Sequence, residues 1–582
     1  MADSKWDEQY DLIVMGAGAA GMTTALVAAL EGLKPLLIEK TDRVGGTTAT
    51  SAGTIWIPGN RQSLAAGYQD SPEAAALYLD KLTGVPDASG LRSAFLSTGP
   101  DMVEYLRAKS DVHFNPSGKH PDYRDMEGAA VYGRTLVPAM FDGQLLGKDF
   151  ERVRPPIPEF LLLGGMMAGK ADLPPLINRF RSVGNFVYAG KLLVRYLADR
   201  LRYSRGTRIV MGNALVARLF YSLKKNRVPV MFDTTVMEVV SGAGRVAGVV
   251  VRSQGRTLRI NTRKGLVIAT GGYGHSAKLR ERFMPKPTPA DTVACPANTG
   301  DGIELALRHG GTIGADAHGP GAFWAPVSRT RRADGSQGVF PHLLLDRAKP
   351  GLIAVNAAGK RFVNEADSYH DFVLGMYESH KSTPTIPARL ICEASFVARY
   401  GLGIVYPGTT NLKPFEKSGY LVVAPSLERL AAKLGIEPQA LVATVARHNS
   451  MARSGKDLDY GKGETELNRF NGDPLQAPNP CLRPIEQGPF VALAVWPAEI
   501  ATSAGLQADV DGQLLNTKGI PIDGLYAVGN DMASIMLGTY PGPGTTLGPA
   551  LTFGYRAAMH AAGKPVGYSR RLFPSDPPSC GS

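Results

Sequence analysis

Near its C-terminus the chain reads Gly538-Thr-Tyr-Pro-Gly-Pro-Gly-Thr-Thr-Leu-Gly548, one phenol set among prolines and glycines. Proline fixes φ at about −65°, so Pro541 and Pro543 reduce the freedom of this turn. Glycines 542 and 544 tolerate unusual dihedrals and a close ligand approach. Such a turn is either a surface loop or a device that aims a hydroxyl and a backbone N–H at one point.

A second chemistry-bearing stretch lies at the other end. The apolar run Tyr10–Met15 is followed by Gly16-Ala-Gly18-Ala-Ala-Gly21, an alanine-rich helical stretch, a second apolar run Pro35–Ile38, and Glu39. Strand, glycine turn, helix, strand and acid occur in the order a dinucleotide site requires. Gly16 makes the tight turn, Gly18 admits the pyrophosphate and Gly21 lets helix and strand pack closely. The helix start offers free N–H groups to phosphate, flanked by Ala19 and Ala20. Glu39 would accept from a ribose hydroxyl, with Lys40 beside it.

The segments that follow favour FAD over NAD. A small-residue loop carries Gly45, Gly46, Thr47, Thr48, Ser51, Ala52 and Gly53. Val236 lies in an alternating strand pair between Val228 and Val251. The strand Gly265–Ile268 runs into Ala269, Thr270 and Gly271, and Gly524–Val528 repeats the pattern before Gly529 and Asn530. Thr546 and Leu547 follow the tyrosine turn. Distant pieces converging on one nucleotide suit the larger cofactor, held without a covalent link.

These segments resemble the flavoprotein subunits of the fumarate reductase and succinate dehydrogenase superfamily. More closely, the chain resembles the 3-ketosteroid dehydrogenases, above all the Δ1-dehydrogenases, over most of its length except about 144–208. The resemblance implies an α/β fold: a Rossmann-type FAD-binding domain with an inserted α+β substrate domain. The expected division is 1–318, 319–495 and a return over 496–582.

The resemblance also implies roles. Tyr540 and the Gly544 N–H would hold a 3-keto oxygen, which is oxyanion-hole logic. Tyr369, in Asn364-Glu-Ala-Asp-Ser-Tyr-His-Asp-Phe372, would take the proton from C2. Tyr123, in His120-Pro-Asp-Tyr123, would relay it; His120 departs from the aromatic expected there. The hydride would pass from C1 to the flavin, and an external acceptor, a quinone for example, would reoxidise it. Two alternatives share the template. A Δ4-(5α)-dehydrogenase would place Thr502 or Ser503 at the substrate. A fumarate- or urocanate-type reductase would clamp a carboxylate with Arg329, Arg331 or Arg332. A flavin-binding scaffold without turnover is a third.

Composition bounds the rest. The chain has 582 residues and a net charge of +12, with no nucleic-acid module and no metal-ligand spacing among its four cysteines. Dispersed cysteines, a polar N-terminus and no long apolar run lead to the expectation of a cytoplasmic protein. Basic and apolar residues alternate from Phe186 to Arg208. A helix of this kind lies on an anionic membrane surface or packs on protein.

Overall fold

The structure is a computed structural model that describes residues 6–314, 321–332, 334–343 and 346–567. The expected division at 318/319 and Cys580 lie outside the described residues. Among those residues the central element is an eight-stranded sheet. Its middle strand, Glu8–Met15, is flanked in parallel by Pro35–Ile38 on one side and Arg256–Ile268 on the other. Pro521–Ala527 adds a further parallel strand beside Arg256–Ile268. Leu12, Ile13 and Val14 are fully buried, the pattern of a parallel strand covered on both faces.

This topology explains why residues far apart in sequence meet. Parallel strands carry all their carboxyl ends on one sheet edge, where α/β folds bind ligands. Gly16, Glu39, Ala269 and Val528 each follow directly on one of these strands. The helix Ala19–Leu30 starts at this edge, and the C-terminal helix Leu547–Ala561 packs against it, with Gly554 close to the Ala20 carbonyl.

A second, seven-stranded sheet is largely antiparallel. Its central strand, Phe490–Thr502, pairs with Ala322–Arg331 and Ala388–Glu393. That strand passes unbroken through Trp496, where the sequence reading returns to the first unit. The helix Tyr369–His380 packs against the strand Ala322–Arg331, with Ser368 capping it through the Asp371 N–H at 3.1 Å. The segment 144–208 contributes short helical turns and one long helix, Val183–Arg200. Among the described residues, no helix is long and apolar enough to cross a membrane.

Candidate active site

A cavity of about 1870 Å³ runs from the glycine turn past the tyrosine turn to the 144–208 segment. All the expected cofactor residues line it except Gly21 and Gly45. A β-carbon at Gly21 would stand 1.9 Å from the Gly16 carbonyl oxygen, so this glycine serves helix–strand packing. Gly45 has φ +117 and donates its N–H to the Ala17 carbonyl at 2.8 Å, which shapes the loop instead of facing the cavity.

The nucleotide end fits a dinucleotide on its own geometry. A β-carbon at Gly16 would lie 2.2 Å from the Ala269 carbonyl, so only glycine lets the two strand ends approach. Glu39 accepts from the Ala17 N–H at 3.0 Å and from the Thr41 N–H and hydroxyl at 2.9 Å each, which fixes its carboxylate at the cavity wall. Lys40 is held by Asp301 at 3.1 Å. Thr47 accepts from the Cys295 N–H at 2.9 Å and tethers a distant loop to the same wall.

The sequence reading missed Asp531. Fully buried, it accepts from the Thr270 hydroxyl at 2.9 Å, the Gly271 N–H at 3.0 Å and the Gly272 N–H at 3.2 Å. It thereby holds the Thr270 turn against Gly529–Asn530. Burial pushes its carboxyl up to about 6. The available signal was an acid directly after Gly529-Asn530.

At the other end, three phenols form one chain. The Tyr123 hydroxyl donates to Tyr369 at 3.2 Å, and Tyr369 donates to Tyr540 at 3.0 Å. The Tyr123 and Tyr540 rings lie parallel at 5.5 Å, and Tyr369 stands edge-on to both. Tyr369, Tyr540 and Gly544 line the cavity; Tyr123 sits behind them. Burial lifts all three phenols well above their ordinary value of 10.0. Phe323 packs edge-on against Tyr540 at 5.2 Å.

The stiffness of the tyrosine turn has visible anchors. The Pro541 carbonyl accepts from both the Tyr123 N–H and the Tyr78 hydroxyl at 2.8 Å. Gly544 has φ +101, and a β-carbon there would lie 2.5 Å from the Ile55 backbone. A β-carbon at Gly542 would crowd the Trp56 indole nitrogen at 2.8 Å. That nitrogen donates to Asp122 at 2.8 Å, and Asp122 pairs with buried Arg134 at 2.6 Å. The residue before Tyr123 therefore locks the relay element to the turn. His120 lines the cavity, 3.3 Å from the Ser117 hydroxyl and tilted against the Phe470 ring at 5.4 Å.

Arg347 was also missed. Its buried guanidinium donates to the carbonyls of His342, Leu343, Glu365 and Asp367 at 2.8–3.3 Å. Two of these carbonyls lie just before Tyr369, so the side chain fixes the approach to that residue. Burial pushes this guanidinium down to about 10, against the pull of Asp346, Asp367 and Glu365, so it stays charged at neutral pH. Its field opposes the upward push of burial on Tyr123 and Tyr369.

Two expectations are corrected. Thr502 and Ser503 do not face the main cavity: Thr502 donates to the Asn530 carbonyl at 3.3 Å, and the neighbours Ile500 and Ala501 line the wall instead. Arg329, Arg331 and Arg332 do not line it either. Arg329 is paired with Asp291 at 2.9 Å and Arg332 with Glu159 at 2.9 Å.

A glycine-rich parallel-sheet edge beside a buried cluster of phenols defines a flavin-dependent oxidoreductase. The sequence profile of the FAD binding domain matches residues 11–547, so the chain belongs to that family, and FAD is its cofactor. It is 37% identical over 561 residues to the 4-oxocyclohex-2-ene-1-carboxylate 5-dehydrogenase of Sinomonas cyclohexanicum, covering 95% of this chain and 93% of that protein. It is 34% identical over 567 residues to the 3-oxosteroid 1-dehydrogenase of Mycolicibacterium smegmatis, covering 95% and 97%. Among solved structures, the 3-ketosteroid delta1-dehydrogenase of Sterolibacterium denitrificans in complex with 1,4-androstadiene-3,17-dione superposes with a TM-score of 0.88 at 36% identity, covering 96% of this chain and all of that one. The resemblance read from the sequence holds over nearly the whole chain, and the protein is an FAD-dependent dehydrogenase.

Proposed function

We propose that this enzyme introduces the C1–C2 double bond into 3-ketosteroids. The observation that carries the reading is the hydrogen-bonded row Tyr123–Tyr369–Tyr540 beside Gly544 at the cavity wall. A ketone oxygen and its α-carbon are two bonds apart. A donor for the first and a base for the second must therefore be neighbours, and the two phenol oxygens lie 3.0 Å apart.

In this mechanism Tyr540 and the Gly544 N–H hold the keto oxygen and stabilise the negative charge it gains. Tyr369 removes the proton at C2, and Tyr123 shares that proton from behind. FAD, when bound, supplies the hydride acceptor. The chain's division of labour is a cofactor unit around the parallel sheet and a substrate-side unit around the antiparallel one. An external acceptor such as a quinone reoxidises the cofactor. The basic segment 144–208 lies against a membrane surface.

A second reading takes a small carboxylated ring ketone, as the name of the 37% identical relative suggests. The cavity favours the larger substrate. A single small-molecule site is usually about 300–1,000 Å³, so about 1870 Å³ leaves room for a bulky apolar molecule beside the cofactor. Its outer wall carries Phe160, Leu162, Met167, Leu173, Leu176 and Phe340. Two cations of that wall are already engaged: Arg399 pairs with Asp473 at 2.7 Å and Lys349 donates to the Gly472 carbonyl at 2.7 Å.

The deciding experiment mixes the yellow holoenzyme anaerobically with three substrates in turn: a 3-keto-4-ene steroid, its 5α-saturated counterpart and 4-oxocyclohexenecarboxylate. Flavin bleaching by the first with a 1,4-diene product supports the proposal. Bleaching by the saturated steroid alone, with a 4-ene product, moves the chemistry to C4–C5. Bleaching by the carboxylate alone assigns the second reading.

A further inference from the structure

The helix Val183–Arg200 has an inner face that is fully used. Tyr196 donates to the Leu163 carbonyl at 2.9 Å, and Asp199 accepts from the Thr207 N–H at 2.7 Å and from Gln144 at 3.1 Å. Arg195 pairs with Asp142 at 3.0 Å. These contacts fix which face looks outward. At about 100° per residue, positions 183, 187, 190, 194, 197 and 201 fall within roughly 40° of one line along the helix. That line carries Val183, Val187, Gly190, Val194, Leu197 and Leu201, and Phe186 lies beside it. Val183 is 81% exposed, Val194 67% and Leu201 86%, and Phe180 just before the helix is 78% exposed.

An outward apolar stripe of this length is unusual for a protein facing water alone. Its flanks carry charge of one sign. Between 173 and 202 the chain has six basic residues and a single acid, Asp199, which is buried and turned inward. Lys191 borders the stripe on one side and Arg200 on the other. A second copy of the same face would meet this positive charge with its own, whereas an anionic lipid surface complements it. Apolar stripe, basic borders and shallow insertion are the properties of an interfacial helix.

The stripe also adjoins the cavity. Leu163, Leu173, Leu176, Ile177 and Leu193 line the cavity wall, and Leu163, Ile177 and Leu193 are exposed on the outer side as well. We propose that 163–202 is a docking surface for an anionic bilayer, and that the cavity mouth opens within it, so that an apolar substrate passes from lipid to the phenols without crossing water. The entry route rests on the steroid reading; the docking does not.

The test uses full-length holoenzyme and sucrose-loaded vesicles. The wild type should sediment with vesicles of phosphatidylglycerol and phosphatidylcholine at low salt, and little with pure phosphatidylcholine. Two variants address the two chemistries: Phe180→Ser/Phe186→Ser/Val194→Ser/Leu197→Ser, and Arg181→Gln/Lys191→Gln/Arg202→Gln. Each should weaken vesicle binding by at least ~10-fold while retaining FAD and its melting temperature. Wild-type sedimentation that is absent, or unchanged in both variants, overturns the proposal. So does a dimer in size-exclusion chromatography that the serine variant abolishes, which would give the face to a second copy. For the mouth, vesicle-borne steroid should be turned over more slowly by the serine variant, and cyclodextrin-delivered steroid at the wild-type rate. Equal vesicle rates overturn the entry route. Sedimentation uses no substrate, so an enzyme that desaturates no steroid would still pass or fail it.

Discussion

The smallest unit of function here is a row of phenol oxygens, and its behaviour follows from where protons sit. Replacing Tyr540 with Phe should leave FAD bound and slow flavin reduction about 10²–10³-fold, the usual cost of one oxyanion donor. Tyr369→Phe should abolish more, since it removes the base itself. Stopped-flow reduction by a 3-keto-4-ene steroid checks both; a near wild-type rate for either removes its role. Burial holds the Tyr369 phenol well above 10.0, so at neutral pH the phenolate is scarce. The base is the deprotonated form, so kcat/KM should climb with pH between 7 and 9.5, by up to about tenfold per unit. A plateau below pH 9 would point to another base. Arg347 works in the opposite direction from burial. Arg347→Met should move that profile to higher pH, whereas Arg347→Lys should keep more of the charge and shift it less. A purely structural role would lower the melting temperature of both and leave the profile where it is.

At the scale of elements, the segment before Tyr369 is fixed by buried charge. Glu365 accepts from Arg361 at 2.8 Å, lies 3.3 Å from Lys462, and takes the Ala354 N–H at 3.0 Å. Glu365→Gln leaves buried Lys462 without its counter-charge and Arg361 with Asp457 alone, and should destabilise the fold by about 3–5 kcal/mol. Thermal unfolding with bound FAD measures it. The same scale shows what a sequence can and cannot disclose. The strand, glycine turn and second strand near the N-terminus are legible because an apolar run and a glycine spacing have a direct geometric meaning. Gly16–Gly21 and Glu39 therefore came from the residues alone. The stiff turn around Tyr540 stood out by its residues, but the phenols' roles came only through resemblance: Tyr123 and Tyr369 are 246 positions apart, and no local pattern joins them. Arg347 left no trace, because backbone carbonyls satisfy it and backbone groups are the same in every sequence; Asp531 left only its place directly after Gly529-Asn530. Thr502 was misplaced because sequence does not say where a strand leaves the cavity wall: Ile500 and Ala501 line it, and Thr502, the last residue of the strand, turns to the Asn530 carbonyl.

For the whole molecule, the parallel sheet edge gathers the cofactor residues and the antiparallel unit brings Tyr369 to the same cavity. The insertion helix was legible as basic and amphipathic, but its place at the far end of that cavity depends on the fold. One consequence concerns supply. Where the outer wall of a cavity is also the lipid-facing surface, the enzyme responds to the mole fraction of substrate in the bilayer, not to its molarity in the tube. Adding empty phosphatidylglycerol-containing vesicles at constant total steroid should then lower the rate, although nothing has been inhibited: the same molecules have been spread over a larger area.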